Sequence, residues 1–164
     1  MKLGVNDMDK MQLTGFINRA KHNSYAVINN IPKTMLPDGG TELTYREEMF
    51  SYRDRYYGGE PFIGEEVVIS DNTVIWGMNL RGMVVEPDAL SIENVYAFLQ
   101  ESLRAQPADA SLPFRGPMRY QSGLLRYSSE FTGSLEHFSG TERIFLQDRM
   151  IYEGFYHGGK VGKE

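Results

Sequence analysis

The chain has 164 residues, 41% of them hydrophobic and 24% charged, and its 22 acidic against 17 basic side chains leave a formal charge of −5. That composition excludes a disordered chain and suits one globular domain that needs no covalent staple. Cysteine is absent, which excludes disulfides, thiolate metal centres, iron–sulfur clusters and a cysteine nucleophile.

Basic residues are scattered, and the densest pair, Arg53 and Arg55, flanks Asp54. No face of the kind that releases counterions from nucleic acid is expected. The longest apolar run, Val95–Leu99, is far short of the ~20 residues of a membrane helix. The opening MKLGVNDMDK has no apolar core behind its Lys, so it does not read as a signal peptide, and a cytoplasmic location is expected.

In chain order, Asn6 or Asp7 caps a helix to about Lys21, with Met8, Met11, Phe16, Ile17 and Ala20 on one side. Residues 22–40 form a long connection ending in Asp38-Gly39-Gly40, read as a surface loop or a lid. Four strands follow at Leu43–Arg46, Met49–Tyr57, Glu65–Ser70 and Val74–Arg81, parted by turn residues that include Gly58-Gly59-Glu60-Pro61. Ser91 then caps a second helix whose apolar stripe is Ile92, Val95, Tyr96, Leu99 and Leu103, and Pro107 stops it. Four more strands are expected at Met118–Tyr120, Leu124–Thr132, Thr141–Leu146 and Met150–His157.

The two strand groups overlay. An offset of 75 matches Tyr45 with Tyr120, Tyr52 with Tyr127 and Gly58 with Gly133. After one inserted residue, an offset of 76 matches Phe62 with Phe138, Glu66 with Glu142, Ile75 with Ile151, Trp76 with Tyr152 and Leu80 with Tyr156. Glycines and turns fall in step as well as aromatics, which points to duplication. The expected fold is therefore α+β: one domain over residues 1–164, with halves at about 7–90 and 91–162. Each half is a helix plus four strands, and together they form a curved antiparallel sheet with two helices packed on one face.

Strand alternation then singles out a site. On Met49–Tyr57 the even residues Phe50, Tyr52, Asp54 and Tyr56 form the apolar set, which places the Asp54 carboxyl on the inner face between two tyrosines. Its counterpart in the second half is Ser129. The same parity turns Glu66, Val68, Ser70, Val74, Trp76, Met78 and Leu80 inward, with Glu66 and Glu142 at the rim, where their strands begin. A buried carboxylate needs donors or a ligand. Two alternatives stand beside a binding site: a bulge near Gly58 that turns Asp54 to solvent, and a purely structural hydrogen-bond network.

His22, His137 and His157 lack metal-binding spacing, so neither a metal nor a cofactor is expected, and no nucleotide-binding or nucleophile-elbow motif occurs. His157 has the parity of the outer sheet face.

YRDRYYGGEPFIGEE (52–66), followed by VIWGMNLRG and closing in FYHGG, resembles an uncharacterised bacterial domain family found alone or behind Xre-type helix-turn-helix regulators. The resemblance covers nearly the whole chain. It implies Arg53, Asp54, Gly59, Glu65, Glu66 and His157 as signature positions, and it implies no activity. With no DNA-binding segment ahead of the first helix, it implies a free-standing ligand or protein binder.

Three readings follow. The first is a non-catalytic pocket for a cationic or amphipathic small molecule, lined by Tyr52, Asp54, Tyr56, Trp76 and Tyr152 with Glu66 and Glu142 at its mouth. The second is a hydrolase-like acid–base enzyme with Asp54 or Glu66 as base and His157 or Arg53 assisting. The third is an interaction module whose edge strands pair with a partner or a second copy, giving a homodimer.

Overall fold

The computed structural model describes residues 5–24, 32–107, 109–110 and 115–162, with side chains from Asp9 onward. Helix α1 (Val5–His22) precedes strands β1 (Thr34–Met35), β2 (Thr41–Glu47), β3 (Phe50–Tyr57), β4 (Phe62–Ser70) and β5 (Thr73–Val84). Helix α2 (Ile92–Arg104) precedes β6 (Arg119–Ser122), β7 (Leu125–Ser134), β8 (His137–Leu146) and β9 (Arg149–Lys160). All nine strands form one antiparallel sheet in the order β1-β2-β3-β4-β5-β9-β8-β7-β6. The architecture is α+β and mostly sheet. The central part of the expected 22–40 connection, residues 25–31, lies outside the described residues, and its carboxyl end carries β1.

The two hairpin series share their irregularities. The register shifts between Val68 and Ile69 and again between Ile144 and Phe145. Left-handed turn residues recur as Glu48 and Gly123, Gly58 and Gly133, and Asp71 and Gln147. At the first shift Ile75 is the unpaired residue and packs beside the core. This corrects the expected parity, which turned Val74 inward: an extra residue in one strand reverses alternation beyond it.

Two clusters form the core. One joins Leu13, Phe16, Ile17 and Ala20 of α1 to Tyr52, Val68, Trp76, Met78, Leu80, Phe138 and Tyr156. The other joins Val95, Phe98, Leu99 and Leu103 of α2 to Tyr127, Ile144, Ile151 and Tyr152. Both expected helix stripes need correction. Met11 and Ile92 are exposed, while Leu13 and Phe98 are buried, because the i, i+3, i+4 face centres on Phe16–Ile17 and on Phe98–Leu99. Met8 has no described side chain. Shifted by 82 positions, Leu13, Phe16, Ile17, Ala20 and Lys21 fall on Val95, Phe98, Leu99, Ser102 and Leu103, all of them buried. The Phe16–Tyr45 rings meet at 5.9 Å and 35°, and the Phe98–Tyr120 rings at 5.9 Å and 37°. The Ser91 hydroxyl accepts from the Asn94 amide at 3.3 Å and closes the start of α2.

Each long hairpin turn grips a helix. Glu60, in the β3–β4 turn, accepts from the Val84 amide at 2.8 Å and from the Tyr96 hydroxyl of α2. Glu136, in the β7–β8 turn, pairs with Lys10 of α1 at 2.7 Å.

Candidate functional site

The pairing of β3 with β4 runs without a shift from Phe50 to Tyr57, so no bulge near Gly58 intervenes and Asp54 keeps its inward parity at 6% exposure. Asp54 lies directly across from Glu66, as Ser129 lies across from Glu142. Glu66 and Glu142 are fully buried, which corrects their expected place at a mouth. Their strands begin earlier than the alternation suggested, at Phe62 and His137, so both acids stand well inside the sheet.

Two cations meet these acids. Lys21 Nζ lies 2.7 Å from Glu66 Oε2 and 6.0 Å from the centre of the Trp76 ring. The Arg115 guanidinium bridges the halves. Its Nη1 is 3.6 Å from Glu66 Oε1, and its Nε and Nη2 each donate to Glu142 at 3.2 Å. Glu142 also accepts from the Tyr127 hydroxyl at 3.0 Å and the Tyr152 hydroxyl at 2.9 Å. Four donors on one carboxylate offset much of the cost of its burial.

Chain geometry delivers these groups. After α2 the chain returns past α1, where Asn18 donates to the Ala110 carbonyl at 2.7 Å and His22 Nε2 lies 2.6 Å from the Gln106 carbonyl. Arg115 follows this crossing. Glycine makes room on the sheet: a Cβ at Gly154 would lie 2.8 Å from Glu142 Cγ, and one at Gly82 would lie 2.3 Å from the Tyr152 hydroxyl. Beside the network the Ser129 and Tyr156 hydroxyls bond at 2.9 Å.

Three carboxyls thus face two cations. Burial, and next the neighbouring Glu66 charge, push Asp54 from 3.8 up to about 7, while Arg115, Lys21 and Lys33 pull the other way. Burial also lowers Lys21, against the attraction of Glu66. The Tyr127 and Tyr152 hydroxyls are raised well above their ordinary value, by burial first and then by the Glu142 charge. Among the described residues, no group of three His, Asp or Glu side chains is arranged to hold a metal.

Of the expected site residues, Glu142 and Tyr152 are bonded to each other, and Arg115 ties Glu142 to Glu66, which stands across from Asp54. Tyr52 and Trp76 pack in the α1 cluster on the same face. Tyr56 is half-buried, two residues further along β3, across from Gly64. His157 and Arg53 are not brought in, which corrects their assisting roles. His157 is exposed, paired across from Asn79 and Ser139, and Arg53 sits 3.6 Å from Glu65. Both have the opposite strand parity to the buried acids. The sequence reading missed Lys21, Arg115, Tyr127 and the Glu60 grip. A helix overlay would have flagged Lys21, which occupies the buried position of Leu103.

The model of a family described as a domain of unknown function, DUF5680, matches residues 54–161. The chain belongs to the DUF5680 family. No curated protein and no solved structure matches it significantly. The DUF5680 match is shorter than the resemblance suggested. It opens at Asp54 and takes in Glu66, Arg115 and Glu142, while α1 and its Lys21 fall outside. Among the described residues, no helix of this DUF5680 chain is long and apolar enough to cross a membrane.

Proposed function

We propose that the chain is a non-catalytic binding domain built from two copies of a helix-plus-four-strand unit, both helices covering one face of the sheet, with the ligand site in the first copy. The shared bulges, left-handed turns and helix offset support the duplication. The pair Leu80 and Tyr156, matched by the overlay, also sit across from one another at the β5–β9 seam, as a local two-fold axis there requires.

The observation that carries the site is Asp54. Where the second copy places the neutral Ser129, the first adds a third carboxyl to an interior holding two cations. Burying an unbalanced acid costs stability, and such groups cluster at functional sites. Lys21 and Trp76 also stand where the second copy has Leu103 and Tyr152. The Trp76 indole N–H is buried with no acceptor among the described residues. A small cationic or amphipathic molecule fits: its positive charge matches Asp54, and its apolar body lies against Trp76 and Tyr52. Lys33, exposed just before β1, still acts on the Asp54 charge, so entry from that side suits the reading.

Native mass spectrometry of the purified protein tests this. The expected result is a co-purifying small molecule that Asp54→Asn loses while its charge-state distribution stays folded. Equal retention by both proteins overturns the assignment.

The elevated Asp54 value keeps a second reading, acid–base catalysis with Asp54 as the base, because a group titrating near neutrality suits proton transfer. Glu66, held by Lys21 and Arg115, serves that reading as a positioning group. Turnover of any substrate with a pH profile unchanged in Glu66→Gln would remove Glu66 from it.

A further inference from the structure

The opposite face of the sheet carries a groove of about 670 Å³ in the second half. Two cross-strand rows build it. One runs Glu130, Thr141, Phe155, and the other Thr132, Ser139, His157. Short hydroxyl side chains on the middle strand, β8, lie between taller ones: Phe155 and His157 on β9, and Glu130 on β7. The trough is a consequence of side-chain height on a pleated surface. The corresponding rows of the first half read Arg55, Glu65, Asn79 and Tyr57, Ile63, Arg81. There Ile63 and Glu65 fill the middle strand, so the fold alone does not open a groove.

We propose that this groove binds a saccharide. Its volume falls within the roughly 300–1,000 Å³ of small-molecule sites. Its walls hold no Lys or Arg, which disfavours phosphate and other anions. Arg143, nearest in sequence, is engaged by Glu153 at 3.0 Å and Glu130 at 3.9 Å, and Arg81, across from Phe155 on β5, stands outside the lining with its Nη1 3.3 Å from Met83 Sδ. The remaining chemistry is a half-exposed aromatic plate, three hydroxyls that both donate and accept, one carboxylate acceptor and one imidazole. A sugar ring presents an apolar C–H face to Phe155 and a rim of hydroxyls to Thr132, Ser139, Thr141 and Glu130. An aromatic ring offers large contact area at little entropy cost. The proposal is independent of the Asp54 site.

The test is titration of isotope-labelled protein with maltotriose, cellotriose, chitotriose and galactobiose, read from the backbone amide resonances. At about 10 mM, ten times a Kd of about 1 mM, at least one sugar should shift residues 130–132, 139–141 and 155–157. Phe155→Ala, at a half-exposed position, should weaken that sugar at least about tenfold with the rest of the spectrum unchanged. Ser139→Ile with Thr141→Glu, which rebuilds the filled pattern of the first half, should abolish it. Asp54→Asn should leave it unaltered. Unmoved amides with all four sugars, shifts confined to the helix side, or wild-type affinity in Phe155→Ala would each overturn the proposal.

Discussion

Replacing Asp54 with Asn should change how stability depends on pH rather than stability at one pH. The folded chain holds the Asp54 proton up to about pH 7, whereas the unfolded chain releases it near 3.8. Between those values the native state binds more protons, so stability falls as pH rises. The contribution is fully present below about pH 4 and gone above about pH 7. A window of just over three pH units, at about 1.4 kcal/mol each, amounts to about 4 kcal/mol. Asp54→Asn has no proton to lose, so its stability relative to wild type should rise by about that much between pH 4 and pH 8. Urea unfolding of both proteins across the range measures it, and subtraction cancels the titrating groups that do not interact with Asp54. Glu66→Gln removes the second cause of the shift and should shrink the difference. A difference constant to within about 1 kcal/mol would mean that Asp54 ionises as it does in water, and both the burial argument and the binding site built on it would fall.

Arg115→Ala leaves Glu142 with only its tyrosine donors and should cost about 3–5 kcal/mol, seen as a lowered urea midpoint. Arg115→Met combined with Glu142→Gln should recover part of that loss, since it removes the stranded charge. Gly82→Ala places a methyl 2.3 Å from the Tyr152 hydroxyl and 2.5 Å from the Phe62 ring, and overpacking of this kind should cost about 1–3 kcal/mol by thermal denaturation. Glu136 is held at about 2, chiefly by Lys10 and then by Ser134, so its stabilising effect is present above its ordinary 4.5 and lost as pH falls through about 2. Lys10→Ala should move its carboxyl resonance titration back towards 4.5.

Strands were the most legible part of the chain. Alternation located the eight main strands to within a few residues, and the inward placement of Asp54 followed from parity because no bulge falls on β3. Where a bulge does fall, at Val68–Ile69, alternation reverses and Val74 takes the other face. The site was half legible. Asp54, Glu66 and Glu142 stand out as acids in apolar rows, yet their burial depth depended on where the strands begin. Their cations were invisible for different reasons. Lys21 looks like any last-turn helix cation, and only its place on the Leu13–Phe16–Ile17–Ala20 face reveals burial. Arg115 sits in a connection with no period at all, and its position is fixed by hydrogen bonds at Asn18 and His22 that join residues far apart in sequence.

The turn grips have a mechanical consequence. Glu60 belongs to the first hairpin series but holds the second helix, and Glu136 belongs to the second series but holds the first helix. Each half is thus clasped by the other's arm. Peeling either helix away breaks a tether rooted across the seam, so opening one hairpin series also loosens the helix that it holds. Slow amide exchange should then vanish from both hairpin series together rather than from one before the other.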